Sequence, residues 1–133
     1  MGSFVVDTHA LVWYLEGNLR LGTDARKALS DPSSVLYIPV IVLAEICWIV
    51  EHGKSAIPTV SSLMNDIDAD SRIILVPLDR ATLDKSLALT NISEMHDRQI
   101  VASALILADT EPGVALISKD EVIASSRTIP LVW

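Results

Sequence analysis

Asp7, Glu45, Asp97 and Asp120 are the residues of this chain whose types and positions could do chemistry. Asp7 closes the apolar run Phe4-Val5-Val6, and Asp120 follows Val114-Ala115-Leu116-Ile117 through Ser118-Lys119. Glu45 is the only charged residue between Ser33 and Val50, and Asp97 precedes the run Ile100-Val101-Ala102. A carboxylate among apolar side chains costs free energy unless a partner satisfies it. Each also has a local structural explanation. Asp7-Thr8 is helix-capping chemistry, Glu45 could pair with an Arg or look out through a narrow solvent stripe, Asp97 gains from a helix dipole, and Asp120 fits a turn or cap.

Taken together the four say more. Three fall at strand-to-helix turns or helix starts, and the fourth lies in an apolar helix that reaches the same edge. Converging carboxylates cannot all stay ionised unless a cation neutralises them. All-oxygen ligands select Mg²⁺ or Mn²⁺ rather than zinc. Such an ion makes water nucleophilic and stabilises in-line displacement at phosphorus, so the chemistry that fits is phosphodiester hydrolysis. The sequence has no Gly-rich phosphate loop, GxSxG elbow or HExxH motif, which leaves triphosphate, esterase and zincin readings without support.

The elements that must position these acids alternate along the chain. Strands are expected at 4–6, 35–38, 73–76, 114–117 and 129–132, with Pro130 favouring an edge. Helices are expected through 10–15, from a Thr23 or Asp24 cap through Leu29, over 40–52, through 60–67, over 79–89 and over 93–108. Apolar strands joined by helical crossovers specify an α/β fold, a three-layer α/β/α sandwich with a mainly parallel central sheet. Ligands in such sheets sit beyond the carboxyl ends of the strands, where the acids fall.

Composition narrows the class. The chain has 133 residues, 50% hydrophobic and 20% charged, with mean hydropathy +0.44, which fits a single folded domain over 1–133. Its net charge of −7 excludes a protein that holds nucleic acid by bulk positive charge. Cys47 is the only cysteine, so no internal disulfide or Cys-based zinc cage forms, and a reducing cytoplasm is expected. Met1 to Asp7 lacks the basic start of a signal peptide. The apolar stretch 35–50 is broken by Pro39 and Glu45 and is shorter than a membrane span, so no membrane association is expected.

With these residues in view, the chain resembles the PIN-domain family, and within it the VapC-type toxins of toxin–antitoxin pairs. The resemblance rests on Val5-Val6-Asp7-Thr8-His9-Ala10-Leu11-Val12-Trp13-Tyr14-Leu15, Ala44-Glu45-Ile46, His96-Asp97-Arg98-Gln99-Ile100-Val101-Ala102-Ser103-Ala104 and Ile117-Ser118-Lys119-Asp120, in the family's order over nearly the whole chain. It implies a Mg²⁺- or Mn²⁺-dependent endoribonuclease with a Rossmann-like sandwich, a homodimer held inactive by a cognate antitoxin protein. Asp7, Glu45 and Asp97 then hold the metal, with Asp120 as the fourth acid. Here Ser118-Lys119-Asp120 stands where the family more often has Thr-x-Asp.

Other residues near the acids have competing explanations. Thr8 and Ser118 could orient a carboxylate or merely cap a helix or turn. Arg98 and Lys119 could touch phosphate or form solvated pairs. His9 and His96 are poor ligands in an all-oxygen site. No Lys or Arg cluster exceeds isolated pairs such as Arg26-Lys27, which favours a structured, specifically recognised RNA such as tRNA or rRNA over general degradation. The same acidity suits a basic antitoxin segment, and the apolar helix over 40–50 is the expected dimer surface. Two alternatives remain at this point: a catalytically inactive PIN-like interaction module, and a receiver-type Mg²⁺-binding phospho-acceptor domain, in which Asp79 takes the phosphoryl group.

Overall fold

The expected apolar runs become strands of one sheet in the computed structural model, which describes residues 2–133. They are β1 (Ser3–Val6), β2 (Val35–Pro39), β3 (Ile73–Val76), β4 (Ala115–Ile117) and β5 (Leu131–Val132). All neighbouring pairs run parallel, in the order β3-β2-β1-β4-β5. Val5 lies opposite Tyr37 on one side and Leu116 on the other. The last strand is shorter than expected and sits at an edge, where Pro130 costs no ladder bond.

Among the described residues seven helices connect the strands: α1 (Thr8–Glu16), α2 (Thr23–Ser30), α3 (Val40–Glu51), α4 (Val60–Ala69), α5 (Arg80–Leu87), α6 (Met95–Ala108) and α7 (Glu121–Ser126). Parallel crossovers are right-handed. The chain steps outward from β1 to β3, then crosses back to β4 and β5, so α1–α4 cover one face and α5–α7 the other. This is the three-layer α/β sandwich. The strand order reverses between β1 and β4, and a crevice opens beyond the carboxyl ends of strands at such a reversal.

The three central strands carry the core. Val5, Val6, Leu36, Ile38, Leu116 and Ile117 are fully buried, packed with Leu11, Ile46, Ile100 and Ile123 from the helices. Edge strand β3 is less covered, with Ile74 47% and Leu75 43% exposed. Among the described residues no helix is long and apolar enough to cross a membrane.

Two features of α2 departed from expectation. Thr23 and Asp24 both lie inside the helix, whose N-cap is Gly22 without any side-chain bond. The backbone N–H groups of Asp24 and Ala25 instead donate to the Trp133 carbonyl at 3.1 and 3.3 Å. A Cβ on Gly22 would lie 2.5 Å from that oxygen, so only glycine permits the approach. At the other end Arg72 donates to the Leu29 and Asp31 carbonyls at 2.6 and 2.9 Å and pairs with Asp70 at 2.8 Å. Long-range groups therefore cap a helix whose own sequence offers Thr23 and Asp24 as caps.

Candidate metal centre

Asp7 leaves β1 in extended conformation and starts α1. Its N–H donates to Ile117 at 3.0 Å, continuing the β1–β4 ladder one residue past the strand. The carboxylate uses both oxygens: Oδ1 accepts the Thr8 N–H at 2.7 Å and Oδ2 accepts the Ser118 hydroxyl at 2.6 Å. Ser118 Oγ in turn accepts the Asp120 N–H at 3.1 Å. The capping and site roles of Asp7 thus coexist in one side chain. Burial pushes its carboxyl up; the bonds from Ser118 and Thr8 and the nearby His9 oppose this, while the Asp120 charge adds to it, and the net direction is upward.

Glu45 projects from the middle of α3, half-buried, and its Oε1 accepts the Thr8 hydroxyl at 2.8 Å. Among the described residues no Arg pairs with it. Its ion-pair neighbour among the described residues is His96, 3.9 Å from Oε2. Thr8 therefore holds two acids at once, Asp7 through its N–H and Glu45 through its hydroxyl.

Asp97 lies in the first turn of α6, where Glu94 is the N-cap and accepts the Asp97 N–H at 2.9 Å. Its carboxyl is pushed up to about 7, first by burial and then by the charges of Asp120, Asp7, Glu94 and Glu45. The charges of the other three expected acids therefore all reach Asp97. Asp120 is the N-cap of α7, its Oδ1 accepting from Val122 and Ile123 at 2.9 and 3.0 Å. The helix it starts was not expected from the sequence, because six residues with one buried side chain, Ile123, carry no periodic signal.

Among the described residues no three His, Cys, Asp or Glu side chains close into a ready metal cage. Hydroxyls and backbone N–H groups hold the carboxylates of Asp7, Glu45 and Asp120. The donor chemistry nevertheless fits a hard divalent ion. It is carboxylate throughout, and among the described residues no cation pairs with Asp97.

The residues with competing explanations now separate. Ser118 and Thr8 orient carboxylates. Arg98 donates its Nε–H to the Ile92 carbonyl and so fastens the α5–α6 loop. Among the described residues Lys119 makes no ion pair; its Nζ lies 4.6 Å from the Trp13 ring centroid. His96 bonds Glu94 at 2.9 Å. Asp79 caps α5 beyond edge strand β3, away from the β1–β4 reversal, and its Oδ1 is taken by the Thr82 N–H and hydroxyl. This leaves the phospho-acceptor alternative without an acceptor at the acidic edge. Glu94 is the member of the acidic group that sequence reasoning missed, though its place just before His96-Asp97 was a signal.

The same fold occurs in solved structures at low sequence identity. One is VapBC2 from Rickettsia felis bound to a DNA fragment from its promoter, with TM-score 0.69, 17% identity, and 97% of this chain and 96% of that one covered. Another is a toxin–antitoxin complex from Klebsiella pneumoniae, with TM-score 0.69, 18% identity and coverage of 97% and 95%. A third is DNA-bound VapBC from Salmonella typhimurium, with TM-score 0.67, 16% identity and coverage of 98% and 97%. No curated protein matches by sequence. Residues 4–126 match the PIN domain, and with the acidic crevice at the β1–β4 reversal in place, the chain belongs to the PIN-domain family.

Proposed function

We propose that this protein is a Mg²⁺- or Mn²⁺-dependent endoribonuclease acting as the toxin of a toxin–antitoxin pair. The observation that carries the reading is the approach of Asp7, Glu45 and Asp120 to Asp97 at one edge, where burial first and these charges second push the Asp97 carboxyl up to about 7. Asp7, Glu45, Asp97 and Asp120 would hold the ion. When bound, a divalent ion supplies water activation and neutralisation of charge at phosphorus.

The protein's own contribution is orientation. Ser118 and Thr8 hold Asp7, and Thr8 holds Glu45, so these carboxylates meet their ligand without first losing rotamer freedom. Asp97 stays unsatisfied by any cation of the protein, which makes it the group with most to gain from a metal. Glu94 fixes the first turn of α6 and with it the Asp97 backbone.

A cognate antitoxin is the proposed protein partner, supported by the fold shared with chains solved in toxin–antitoxin complexes. A homodimer is proposed through α3, which exposes Val40 at 43% and Trp48 at 51%. The reducing cytoplasm is the proposed compartment, and tRNA or rRNA the proposed substrate.

The test is incubation of purified protein with a mixed tRNA and rRNA pool in Mn²⁺ or Mg²⁺, against EDTA. Discrete fragments that vanish with EDTA are expected. Intact RNA in the presence of bound metal would move the reading to the inactive interaction module.

A further inference from the structure

Resting on the metal-centre part of that reading, we propose that Trp133 is a positioning residue of the centre, acting through β5 and Ser118 from outside the group of acids. Ser118 bonds to two acidic residues at once: its hydroxyl holds the Asp7 carboxylate at 2.6 Å and accepts the Asp120 N–H at 3.1 Å. What fixes Ser118 itself is β5. The Ser118 N–H donates to the Val132 carbonyl at 3.2 Å, one step beyond the paired residues Leu116 with Leu131 and Ile117 with Val132.

β5 does not hold this place on its own. It has two residues, both half-buried, and one neighbouring strand, and edge segments of this length open locally at little cost. Trp133 supplies the anchorage with both its polar and its apolar groups. Its carbonyl accepts the Asp24 and Ala25 N–H groups of α2 at 3.1 and 3.3 Å, and its ring meets the Trp13 ring of α1 edge-on at 5.9 Å. Gly22 makes room for both, since a Cβ there would lie 2.5 Å from the carbonyl oxygen and 2.6 Å from ring Cδ1. A continuous set of contacts therefore runs from the start of α2 through Trp133 and Val132 to Ser118, and from there to Asp7.

Trp13 gives the same anchorage a second branch. Lys119, next in sequence to Ser118, lays its Nζ 4.6 Å from the centroid of the ring that Trp133 abuts. Trp13 and Trp133 are walls of one cavity of about 500 Å³ that Asp7, Ser118, Lys119 and Asp120 also line. The tryptophan that anchors β5 thus borders the acids it positions.

Loosening the hydrogen-bond partner of a metal ligand costs affinity without unfolding the sheet. A role in stability alone would lower the melting temperature and leave affinity untouched, and α2 offers the comparison. Arg72 closes the opposite end of that helix through the Leu29 and Asp31 carbonyls.

The test uses the full chain, metal-free at the start, with hydrogen exchange at the Ser118 amide and calorimetric titration with Mn²⁺, alongside circular dichroism and thermal melts. In Trp133→Ala and Gly22→Ala the Ser118 amide should exchange at least about 10-fold faster while the β1 amides keep their protection. Both variants should bind Mn²⁺ about 10-fold more weakly with native circular dichroism. Trp133→Phe keeps a ring against Trp13 and should stay near wild type in both readouts. Arg72→Met should melt lower with unchanged Mn²⁺ affinity. Wild-type affinity in folded Trp133→Ala would overturn the proposal, and so would an equal loss of affinity in Arg72→Met. If Gly22→Ala fails to fold, Trp133→Ala decides alone, because it keeps Gly22 and the carbonyl. A wild type that binds Mn²⁺ yet leaves RNA intact would sink the ribonuclease reading and leave this one standing. A wild type that binds no Mn²⁺ would remove both.

Discussion

Ser118 donates its hydroxyl hydrogen to Asp7 at 2.6 Å and so ties the carboxyl ends of β4 and β1 together across 111 residues of chain. The bond crosses the point where the strand order reverses. It orients a carboxylate that burial pushes toward its neutral form, and it opposes part of that push.

Ser118→Ala should therefore lower cleavage about 10- to 100-fold, as loss of a group that orients a metal ligand does. Ser118→Thr keeps the hydroxyl and should restore activity. Equal activity of the Ala and Thr variants in a steady-state assay would assign Ser118 to turn structure alone.

Asp7→Asn, Glu45→Gln and Asp97→Asn should each lower cleavage by orders of magnitude while circular dichroism stays native. Metal-free Asp97→Asn should also melt higher than wild type, because one member of a repelling group is removed. A clear fall in melting temperature for all three would mean that they serve as structural partners instead.

Asp97 has an ordinary carboxyl value of 3.8 when unfolded and about 7 when folded. Between these the folded state holds a proton that the unfolded state gives up, so stability is greatest below the lower value and declines as pH rises to the upper one. Thermal melts of metal-free wild type should show this decline, and Asp97→Asn should have less of it. Parallel profiles would show that Asp97 is not the titrating group.

Gly22→Ala should expel the segment ending in Trp133, since its Cβ would sit 2.5 Å from the Trp133 carbonyl oxygen. Trp13 and Trp133 are edge-to-face at 5.9 Å, so tryptophan emission should shift to the red and the melt should fall. Unaltered emission would mean that the α2 end accommodates the methyl.

Arg72→Met removes the donor to Leu29 and Asp31 and the partner of Asp70. A loss of about 1–3 kcal/mol in denaturant unfolding is expected, with cleavage by the folded fraction unchanged. A parallel drop in specific activity would couple this end of α2 to the site.

The sequence made the strands legible because their apolar runs are short, β-branched and bounded by Pro, Asp or Ser. It made the four candidate acids legible because Asp7 and Asp120 follow such runs, Glu45 interrupts an apolar helix and Asp97 precedes one. What it hid depends on distance along the chain. Trp133 capping α2, Arg72 closing its other end and Ser118 reaching Asp7 all join residues far apart in sequence. Thr8 and Ser118 could be read as caps or as orienting groups, and only the folded geometry separates the two.

Calorimetric titration of the metal-free protein with Mn²⁺ near neutral pH, wild type beside Asp97→Asn, tests most directly whether the carboxylate edge is a metal centre. Saturable binding that releases protons, and that is lost or strongly weakened in the variant, is the expected result. No binding by wild type at millimolar Mn²⁺, or equal binding by the variant, would contradict it.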